Sequence, residues 1–327
     1  MAVASVDDSR HIIIFQKIML LKPIIIPPYL RKGDTIGVVC PAGYMDKKKM
    51  VTAVRVIEND WGYRVKLGKT AGAQHHYFSG TDEERLADLQ QMLDDPTVDA
   101  ILCGRGGYGT GRIIDLLDFT RFRKNPKWVI GFSDITVLHA HLFTKLHTAS
   151  IHGPMMNAFN QGGYRKPSVQ SLLQALKGKR GNYETKPHLF NRAGKATGRL
   201  IGGNLALVAH LVGTPSDYDT RGKILFLEDV GEYLYNIDRM FYQLKRSGKL
   251  SQLAGLVIGG FTDCKDTGIP FGKTVDEIIR DMVKDYAYPV CFGFPVSHGA
   301  ENMALKTGVS YELNVRPGKV SLKEQAD

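Results

Sequence analysis

Residues 98–146 read VDAILCGRGGYGTGRIIDLLDFTRFRKNPKWVIGFSDITVLHAHLFTKL. Two short apolar runs, at residues 98–103 and 128–130, each lead into a turn and then into a helical pattern. Short continuous apolar runs of this kind are typical of strands that are buried on both faces. Strands that alternate with helices at this spacing predict βαβ units, and therefore a parallel sheet that helices cover on both sides.

The same alternation continues on both sides of this stretch and predicts an α/β protein. Thr81 and Glu84 match a capping box, which predicts the start of a helix with an apolar stripe behind it. Further strands are predicted at residues 35–40, 63–67, 198–203, 224–227, 253–258 and 290–292, and further helices at residues 50–57, 113–117, 135–146, 169–176, 205–211, 234–244 and 275–283.

The length of the chain and a change of composition near its middle predict two domains. A chain of 327 residues is too long for one ordinary core. Gly, Lys, Arg, Asn and Pro dominate residues 160–197, as is typical of a connection between domains. We expect an N-terminal extension at 1–28, an N-terminal α/β domain at 29–160, a linker at 161–197 and a C-terminal α/β domain at 198–327.

The composition favours a globular cytoplasmic protein. The chain is 43% hydrophobic and 23% charged, and its net charge is +10. Acidic residues are interleaved with the Lys and Arg residues, so no nucleic-acid partner is predicted, although a basic surface suits a small anionic substrate. The four cysteines are far apart in the sequence and form no C-x-x-C motif, which suits a reducing compartment.

The apolar run at residues 12–26 does not predict a membrane segment or a signal peptide. Lys17, Lys22 and Pro23 interrupt it, and no small-residue cleavage site follows. Met19 is an alternative natural start of the protein. We therefore expect a cytoplasmic location and no membrane partner.

Ser133 lies where an apolar strand runs directly into a helix. A strand–serine–helix elbow exposes the hydroxyl at the carboxyl edge of the sheet and directs the following backbone N–H groups toward the same point. Gly131 permits the tight approach that such a turn needs. The segment lacks the full G-x-S-x-G pattern, and a second interpretation is that Ser133 or Asp134 only caps the helix.

The glycine-rich turn at residues 104–109, GRGGYG, has two interpretations. It satisfies G-x-G-x-x-G between a strand and a helix, which is the pattern of a dinucleotide-binding turn. It does not follow the first strand, however, and Arg105 stands where the backbone would approach a pyrophosphate. Beside a nucleophile, the same turn would supply an oxyanion-hole amide and a nest for a carboxylate.

A carboxylate at a strand end and a loop histidine complete a candidate catalytic set. Glu228 and Asp229 end an apolar strand, where carboxylates are costly without a partner, and His298 follows a later strand. A solvated turn and an ordinary surface histidine are the alternatives. With Ser133, the order Ser…Glu…His provides a nucleophile, a base and an orienting carboxylate. The other histidines lack ligand spacing, so we expect no metal.

Nine short segments, in this order, resemble the LD-carboxypeptidase family, the serine peptidases of family S66, which act on muropeptides. The resemblance covers about residues 29–316, nearly the whole chain. The segments are CPAG (40–43), GRGGYG (104–109), GFSDIT (131–136), HGPM (152–155), GGNL (202–205), LEDVGE (227–232), IDRM (237–240), GGFTDC (259–264) and FPVSHG (294–299).

The resemblance implies a two-domain enzyme. Its N-terminal domain would be flavodoxin-like, as in class I glutamine amidotransferases, and its C-terminal domain would be a smaller mixed α/β unit. Ser133 would be the nucleophile, Glu228 the acid and His298 the base, with oxyanion amides from Asp134 and Gly107. Family members usually cleave the L-diamino acid–D-alanine bond of murein tetrapeptides during cell-wall recycling, without a metal or other cofactor and often as homodimers. The expected activity is that of a muramoyltetrapeptide carboxypeptidase.

Three residues are candidates for binding the substrate: Arg105, Arg112 and Asn204. An arginine can hold the terminal carboxylate of a peptide with two parallel hydrogen bonds, and Arg105 is preferred over Arg112 because Arg112 lies about a turn into the predicted helix.

Three alternatives remain. The immunity peptidase that detoxifies microcin C shares the triad but acts on an acylated aminoacyl-nucleotide analogue. Only 95 positions separate Ser133 from Glu228 here, which favours the muropeptide branch. A nucleotide-binding module that uses residues 104–109 belongs to a different class. A cysteine hydrolase that uses Cys103 is disfavoured, because that residue precedes the glycine turn and does not enter a helix.

Overall fold

A computed structural model describes residues 23–326, which contain two β-sheets and the helices packed on them. Met19 and most of the apolar run at residues 12–26 lie outside this range. The strands are β1 (Thr35–Val39), β2 (Arg64–Leu67), β3 (Ala100–Cys103), β4 (Trp128–Gly131), β5 (Ser150–His152), β6 (Asn182–Thr185), β7 (Gly194–Asn204), β8 (Ile224–Val230), β9 (Gly255–Thr262), β10 (Val290–Cys291), β11 (Leu305–Thr307), β12 (Ser310–Arg316) and β13 (Lys319–Glu324).

The α-helices connect these strands. They are α1 (Val51–Arg55), α2 (Asp82–Asp94), α3 (Thr110–Ile113), α4 (Thr120–Lys124), α5 (Thr136–Leu146), α6 (Pro167–Leu176), α7 (Leu205–His210), α8 (Leu234–Arg246) and α9 (Val275–Val283). The capping box predicted at Thr81 is present, with the Thr81 side chain accepting from the Glu84 N–H. The predicted helix near residue 113 begins earlier, at Thr110, and continues only as a 3-10 turn to Leu116.

The first sheet has the strand order β11-β5-β4-β3-β1-β2. Strands β1 to β5 are parallel, and their order 2-1-3-4-5 is that of the flavodoxin-like fold. The predicted flavodoxin-like parallel sheet is therefore confirmed. The antiparallel edge strand β11 comes from near the end of the chain, where Leu305 pairs with His152.

The second sheet is mixed and has the order β10-β9-β8-β7-β12-β13-β6. Strands β7 to β10 are parallel, and β12, β13 and β6 pair antiparallel at the other side. This agrees with the predicted mixed α/β unit. Residues 161–197, predicted as a linker, contain α6, β6 and the first residues of β7, and the domain boundaries remain predictions.

Two hydrophobic cores run on opposite faces of the parallel strands. In β3, Leu102 packs in one core and Ile101 in the other, as successive residues of a strand must. Both cores also contain side chains of the second sheet: Phe226 lies in the core of Leu102 and Leu225 in that of Ile101. The two halves of the molecule are therefore packed together. No helix within residues 23–326 combines the length and the apolar character that crossing a membrane requires.

Candidate active site

Ser133 lies at a sharp turn between β4 and α5. Its φ is +63°, in the left-handed region that non-glycine residues rarely adopt. A Cβ at Gly131 would lie only 2.8 Å from the Ile135 side chain, so the turn can be this tight only with glycine there. Phe132 is the N-cap of the 3-10 turn Ser133–Ile135, and Ile135 is the N-cap of α5. Neither side chain makes a capping hydrogen bond. The sequence alternative in which Ser133 or Asp134 caps the helix is therefore not what the structure shows.

The glycine-rich turn packs directly against this elbow. A Cβ at Gly106 would lie 2.9 Å from the Ser133 Cβ, so only glycine allows the two backbones to approach this closely. The Asp134 carboxylate accepts a hydrogen bond from the Thr110 N–H (2.8 Å), and burial raises the pKa of Asp134. The buried Arg85 guanidinium donates to the Gly109 carbonyl (3.0 Å) from the other side. These contacts fix the turn beside the hydroxyl.

His298 and Glu228 form a hydrogen-bonded pair. The His298 Nδ1 lies 2.7 Å from the Glu228 Oε2, and Glu228 is fully buried. A carboxylate oxygen accepts, so Nδ1 carries the proton of this bond and the lone pair of the neutral ring is on Nε2. A Cβ at Gly259 would lie 2.2 Å from the Val296 carbonyl, so glycine at this position of β9 lets the histidine loop lie against the sheet.

Glu228 stands at an irregularity of the second sheet. The register between β8 and β9 shifts between Leu227 and Asp229, at the position of Glu228. Bulges of this kind redirect a side chain and are common beside active sites. The second oxygen of Glu228, Oε1, is buried and has no hydrogen-bond partner among the residues that the structure describes.

The Asn204 side chain contacts Asp229, the carboxylate that follows Glu228 in the sequence. Its Nδ2 donates to the Asp229 Oδ1 (2.7 Å), and its Oδ1 accepts from the Leu207 N–H at the start of α7. Asp229 also accepts from the Ala206 N–H, and burial raises the pKa of Asp229 to about 6. The sequence predicted that Asn204 contacts the substrate. In the structure its side chain instead holds Asp229 and does not line the cavity.

Ser133 and His298 line one cavity of about 860 Å³, between the two halves of the chain. The centroids of the Phe132 and His298 rings lie 4.9 Å apart, so Phe132 packs against His298 and helps to orient it. Arg105 and Gly107 also line the cavity, and the Arg105 Nη1 donates to the Tyr44 carbonyl (2.8 Å).

The structure separates the two candidate arginines. The Arg112 guanidinium is paired with Asp82, with its Nε 2.8 Å from the Asp82 Oδ2, and it does not line the cavity. The sequence preference for Arg105 over Arg112 agrees with this placement, although the placement alone assigns neither residue a role. The pairing of Arg112 with Asp82 was not predictable from the sequence. It joins α3 to the first turn of α2, and strand β3 lies between these two helices in the chain.

The alternative chemistries find little support in this arrangement. Burial raises the pKa of the Cys103 thiol well above its ordinary value, whereas a cysteine nucleophile needs a lowered one. The helix that follows residues 104–109 has only four residues, so little dipole is available for a pyrophosphate. No group of three His, Cys, Asp or Glu side chains that could hold a metal occurs in the described part of the chain.

Sequence reasoning assigned no role to His152 or Asn302, which lie beside the site. His152 is fully buried, its ring contacts Phe132, and its Nε2 lies 3.1 Å from the Asn302 Oδ1. The HGPM segment at residues 152–155 was a signal for the histidine. Nothing in the sequence signals Asn302, which is 150 positions away and meets His152 only because β11 pairs with β5.

Comparisons with known proteins agree with this architecture. The family model for the LD-carboxypeptidase N-terminal domain matches residues 36–153, and that for the C-terminal domain matches residues 197–313. A "probable murein peptide carboxypeptidase" of Bacillus subtilis (strain 168) is 39% identical over 292 residues, 88% of this chain and 91% of that protein. The microcin C7 self-immunity protein MccF of Escherichia coli is 26% identical over 93% of this chain and 96% of its own.

A solved structure is similar over nearly the same range. The crystal structure of muramoyltetrapeptide carboxypeptidase from Oxalobacter formigenes superimposes with a TM-score of 0.81 at 29% identity, over 89% of this chain and 99% of that one. Both family domains occur in this chain, in order, and between them they contain the elbow serine, the buried glutamate and the loop histidine. The chain therefore belongs to the LD-carboxypeptidase family and is a carboxypeptidase of that family.

Proposed function

We propose that the chain hydrolyses the bond between the L-diamino acid and the terminal D-alanine of murein tetrapeptides through a Ser133–His298–Glu228 triad. One observation carries the proposal: a serine at a strained elbow and a histidine hydrogen-bonded to a buried glutamate line the same cavity. The murein substrate is that of the Bacillus subtilis and Oxalobacter formigenes proteins to which the chain is similar.

The triad would work through an acyl-enzyme. Ser133 Oγ attacks the carbonyl carbon of the scissile amide while its proton passes to His298 Nε2, and Glu228 stabilises the imidazolium that forms. His298 then gives this proton to the departing amine, so that D-alanine leaves and the peptide remains as an ester on Ser133. A water molecule, deprotonated by His298, hydrolyses the ester and restores the serine.

Two backbone amides would bind the oxyanion of the tetrahedral intermediate. The N–H groups of Gly107 and Asp134 donate to no acceptor within the described range. Asp134 directly follows the nucleophile, and Gly107 belongs to the turn that packs against it, with a φ of +102° that favours glycine. Donors fixed before the reaction stabilise developing charge without reorganisation, which supports this assignment.

The proposal is tested by incubating the protein with a monomeric murein tetrapeptide and measuring released D-alanine by mass spectrometry. We expect release from the tetrapeptide and none from the tripeptide that lacks D-alanine. An acylated aminoacyl-sulfamoyl nucleotide in a parallel reaction tests the alternative immunity-type activity. Cleavage of the nucleotide together with an intact tetrapeptide would replace the murein substrate with that alternative.

Arg105 would make the enzyme a carboxypeptidase by binding the free carboxylate of the terminal D-alanine. Arg105 is exposed in the free protein, so we expect Arg105→Ala to weaken kcat/KM for the free-acid tetrapeptide by about 1.5 to 3 kcal/mol, the range for hydrogen bonds to a charged group. A C-terminally amidated tetrapeptide should be a poor substrate for the wild type and no poorer for the variant.

Arg112→Ala is the matched control for this prediction, because Arg112 carries the same charge but is paired with Asp82 outside the cavity. Steady-state kinetics on both peptides decide the outcome. If Arg105→Ala processes the free acid as the wild type does, the terminal carboxylate is recognised elsewhere, most simply in the second half of the chain.

We also propose a cytoplasmic homodimer without a cofactor or a nucleic-acid partner. The family resemblance supports the homodimer and the lack of a cofactor, the separate cysteines support the cytoplasmic location, and the interleaved charges support the lack of a nucleic-acid partner. Light scattering of the purified protein after size exclusion measures the oligomeric state directly, and a monomer at micromolar concentration would contradict the dimer.

A further inference from the structure

Asp229 follows Glu228 in β8 and points to the opposite face of the sheet, as successive residues of a strand must. It is 2% exposed, and its carboxylate accepts three hydrogen bonds. Oδ1 accepts from the Asn204 Nδ2 (2.7 Å) and the Val230 N–H (2.8 Å), and Oδ2 accepts from the Ala206 N–H (2.9 Å). Asp229 therefore ties the end of β8 to the start of α7.

The neighbouring strand β9 gives the Glu228 backbone little support. Where β8 advances by two residues, from Leu227 to Asp229, β9 advances by three, so β9 carries an extra residue opposite Glu228. A bulge of this kind disrupts the ladder of hydrogen bonds locally. The direction of β8 at Glu228 therefore depends on the strand on its other side, β7, where Asn204 is the register partner of Glu228.

Asn204 also connects this strand end to the helix that follows Ser133. Its backbone N–H donates to the Thr136 Oγ1 (3.1 Å), and Thr136 is the first residue of α5. Gly203 has a φ of +141°, and a Cβ at this position would lie 2.4 Å from the Thr136 Oγ1. Only glycine therefore lets the end of β7 approach α5 this closely.

Thr136, Asn204 and Asp229 form a buried chain of hydrogen bonds, which we call the clamp. None of the three is more than 3% exposed, and each of their polar side-chain atoms has a partner. A buried polar network that is fully satisfied rigidifies the elements that it joins. The clamp joins the helix after the nucleophile to the strand of the acid, and its side chains lie outside the lining of the catalytic cavity.

We propose that Asp229 is a positioning residue that, through the clamp, sets the separation between the Ser133 hydroxyl and the His298 base. This inference rests on the proposed triad and deepens it, because it states what aligns a nucleophile and a base that come from different halves of the chain. A misplacement of reacting groups by about 1 Å can cost about 100-fold in rate. A change at Asp229 should therefore slow the reaction of Ser133 without touching the substrate.

The Asn204–Asp229 pair can be exchanged to test this role. Asp229→Asn leaves one donor without an acceptor, because an amide has one oxygen where a carboxylate has two. Asn204→Asp places two carboxylates against each other. In the double variant Asn204→Asp/Asp229→Asn the amide and the carboxylate change places, the bonds from the Leu207 and Ala206 N–H groups keep their acceptors, and only the Val230 bond is lost.

The measurement is the second-order rate constant with which a fluorophosphonate phosphonylates Ser133, followed by mass spectrometry well below the Tm of each variant. We expect Asp229→Asn and Asn204→Asp to react about 10- to 100-fold more slowly than the wild type, and the double variant to regain most of the loss. With the tetrapeptide, kcat should fall by a similar factor while KM changes little. A residue that only stabilises the fold would lower the Tm and leave these rates unchanged.

A second pair of variants approaches the clamp from the other half of the chain. Thr136→Val removes the acceptor of the Asn204 N–H and should slow phosphonylation, whereas Thr136→Ser keeps the hydroxyl and should not. Asp99→Asn is the matched control. Asp99 accepts from the Thr35 N–H (2.7 Å) at the amino ends of β1 and β3, the opposite edge of the sheet from Ser133, so this variant should keep the wild-type rate.

A wild-type rate for Asp229→Asn, or a double variant no faster than the slower single variant, overturns the role of Asp229. If Asp229→Asn fails to fold, equal rates for Thr136→Val and Thr136→Ser overturn the clamp. An unlabelled Ser133 in the wild type refutes the proposed triad and the clamp with it. Phosphonylation without D-alanine release refutes only the murein substrate, and the rates still decide the role of Asp229.

Discussion

Replacing Ser133 with alanine is expected to lower kcat for D-alanine release by about 10⁶-fold, to the residual rate that binding and the oxyanion amides support. The reason is chemical: alanine cannot form the acyl-enzyme, although the elbow and the cavity remain. His298→Ala should cost a similar factor, and the double variant should be barely slower than either single one, because the residues act as a unit.

Long incubations with quantitative mass spectrometry of D-alanine measure these rates. Ser251→Ala, at an exposed serine outside the cavity, is the matched control and should keep the wild-type rate. If Ser133→Ala retains a tenth of the wild-type activity, Ser133 is not the nucleophile.

Glu228→Gln is expected to lower kcat by about 10⁴-fold, because the neutral amide neither fixes the required tautomer of His298 nor stabilises its imidazolium. Stability should respond differently. Glu228 is fully buried, and its Oε1 is unpaired among the described residues, so the neutral glutamine avoids part of the cost of burying a charge. We therefore expect the Tm of Glu228→Gln to equal or exceed that of the wild type, with the catalytic loss intact.

Glu232→Gln is the matched control, four positions further along and outside the cavity, and both kcat and Tm should stay close to the wild-type values. Thermal unfolding and steady-state kinetics on the same preparations separate the two effects. A Glu228→Gln enzyme with a third of the wild-type kcat would show that the charge of Glu228 is not needed.

The parts of the fold that the sequence predicted are those with strong local patterns. Strands β1, β3 and β4 are continuous apolar runs because helices cover both faces, and the helix after Thr81 carries its capping box. The elbow was also visible, because Ser133 stands between an apolar strand that ends at Gly131 and a helical pattern. These features depend on neighbours within a few positions, and local chemistry decides them.

The parts that the sequence did not predict depend on distant pairing. Strands β5, β6, β11, β12 and β13 were not predicted. Strand β5 has only three residues and pairs with β4 and β11, whereas β12 pairs with β7 far along the chain and β13 follows β12 across a tight turn. The alternating burial of β12, with Tyr311, Leu313 and Val315 inward, was a readable signal. The pairing of Arg112 with Asp82 and that of Asn204 with Asp229 had no local signal at all.

The central claim is that Ser133 is a nucleophile activated by His298, and covalent labelling tests it most directly. The protein is treated with a fluorophosphonate, which phosphonylates activated serines with loss of fluoride, and is then mapped by peptide mass spectrometry. We expect one stoichiometric adduct on Ser133 in the wild type and strongly reduced labelling in His298→Ala. An unlabelled Ser133 in a preparation that still releases D-alanine, or an adduct on another residue, would contradict the account.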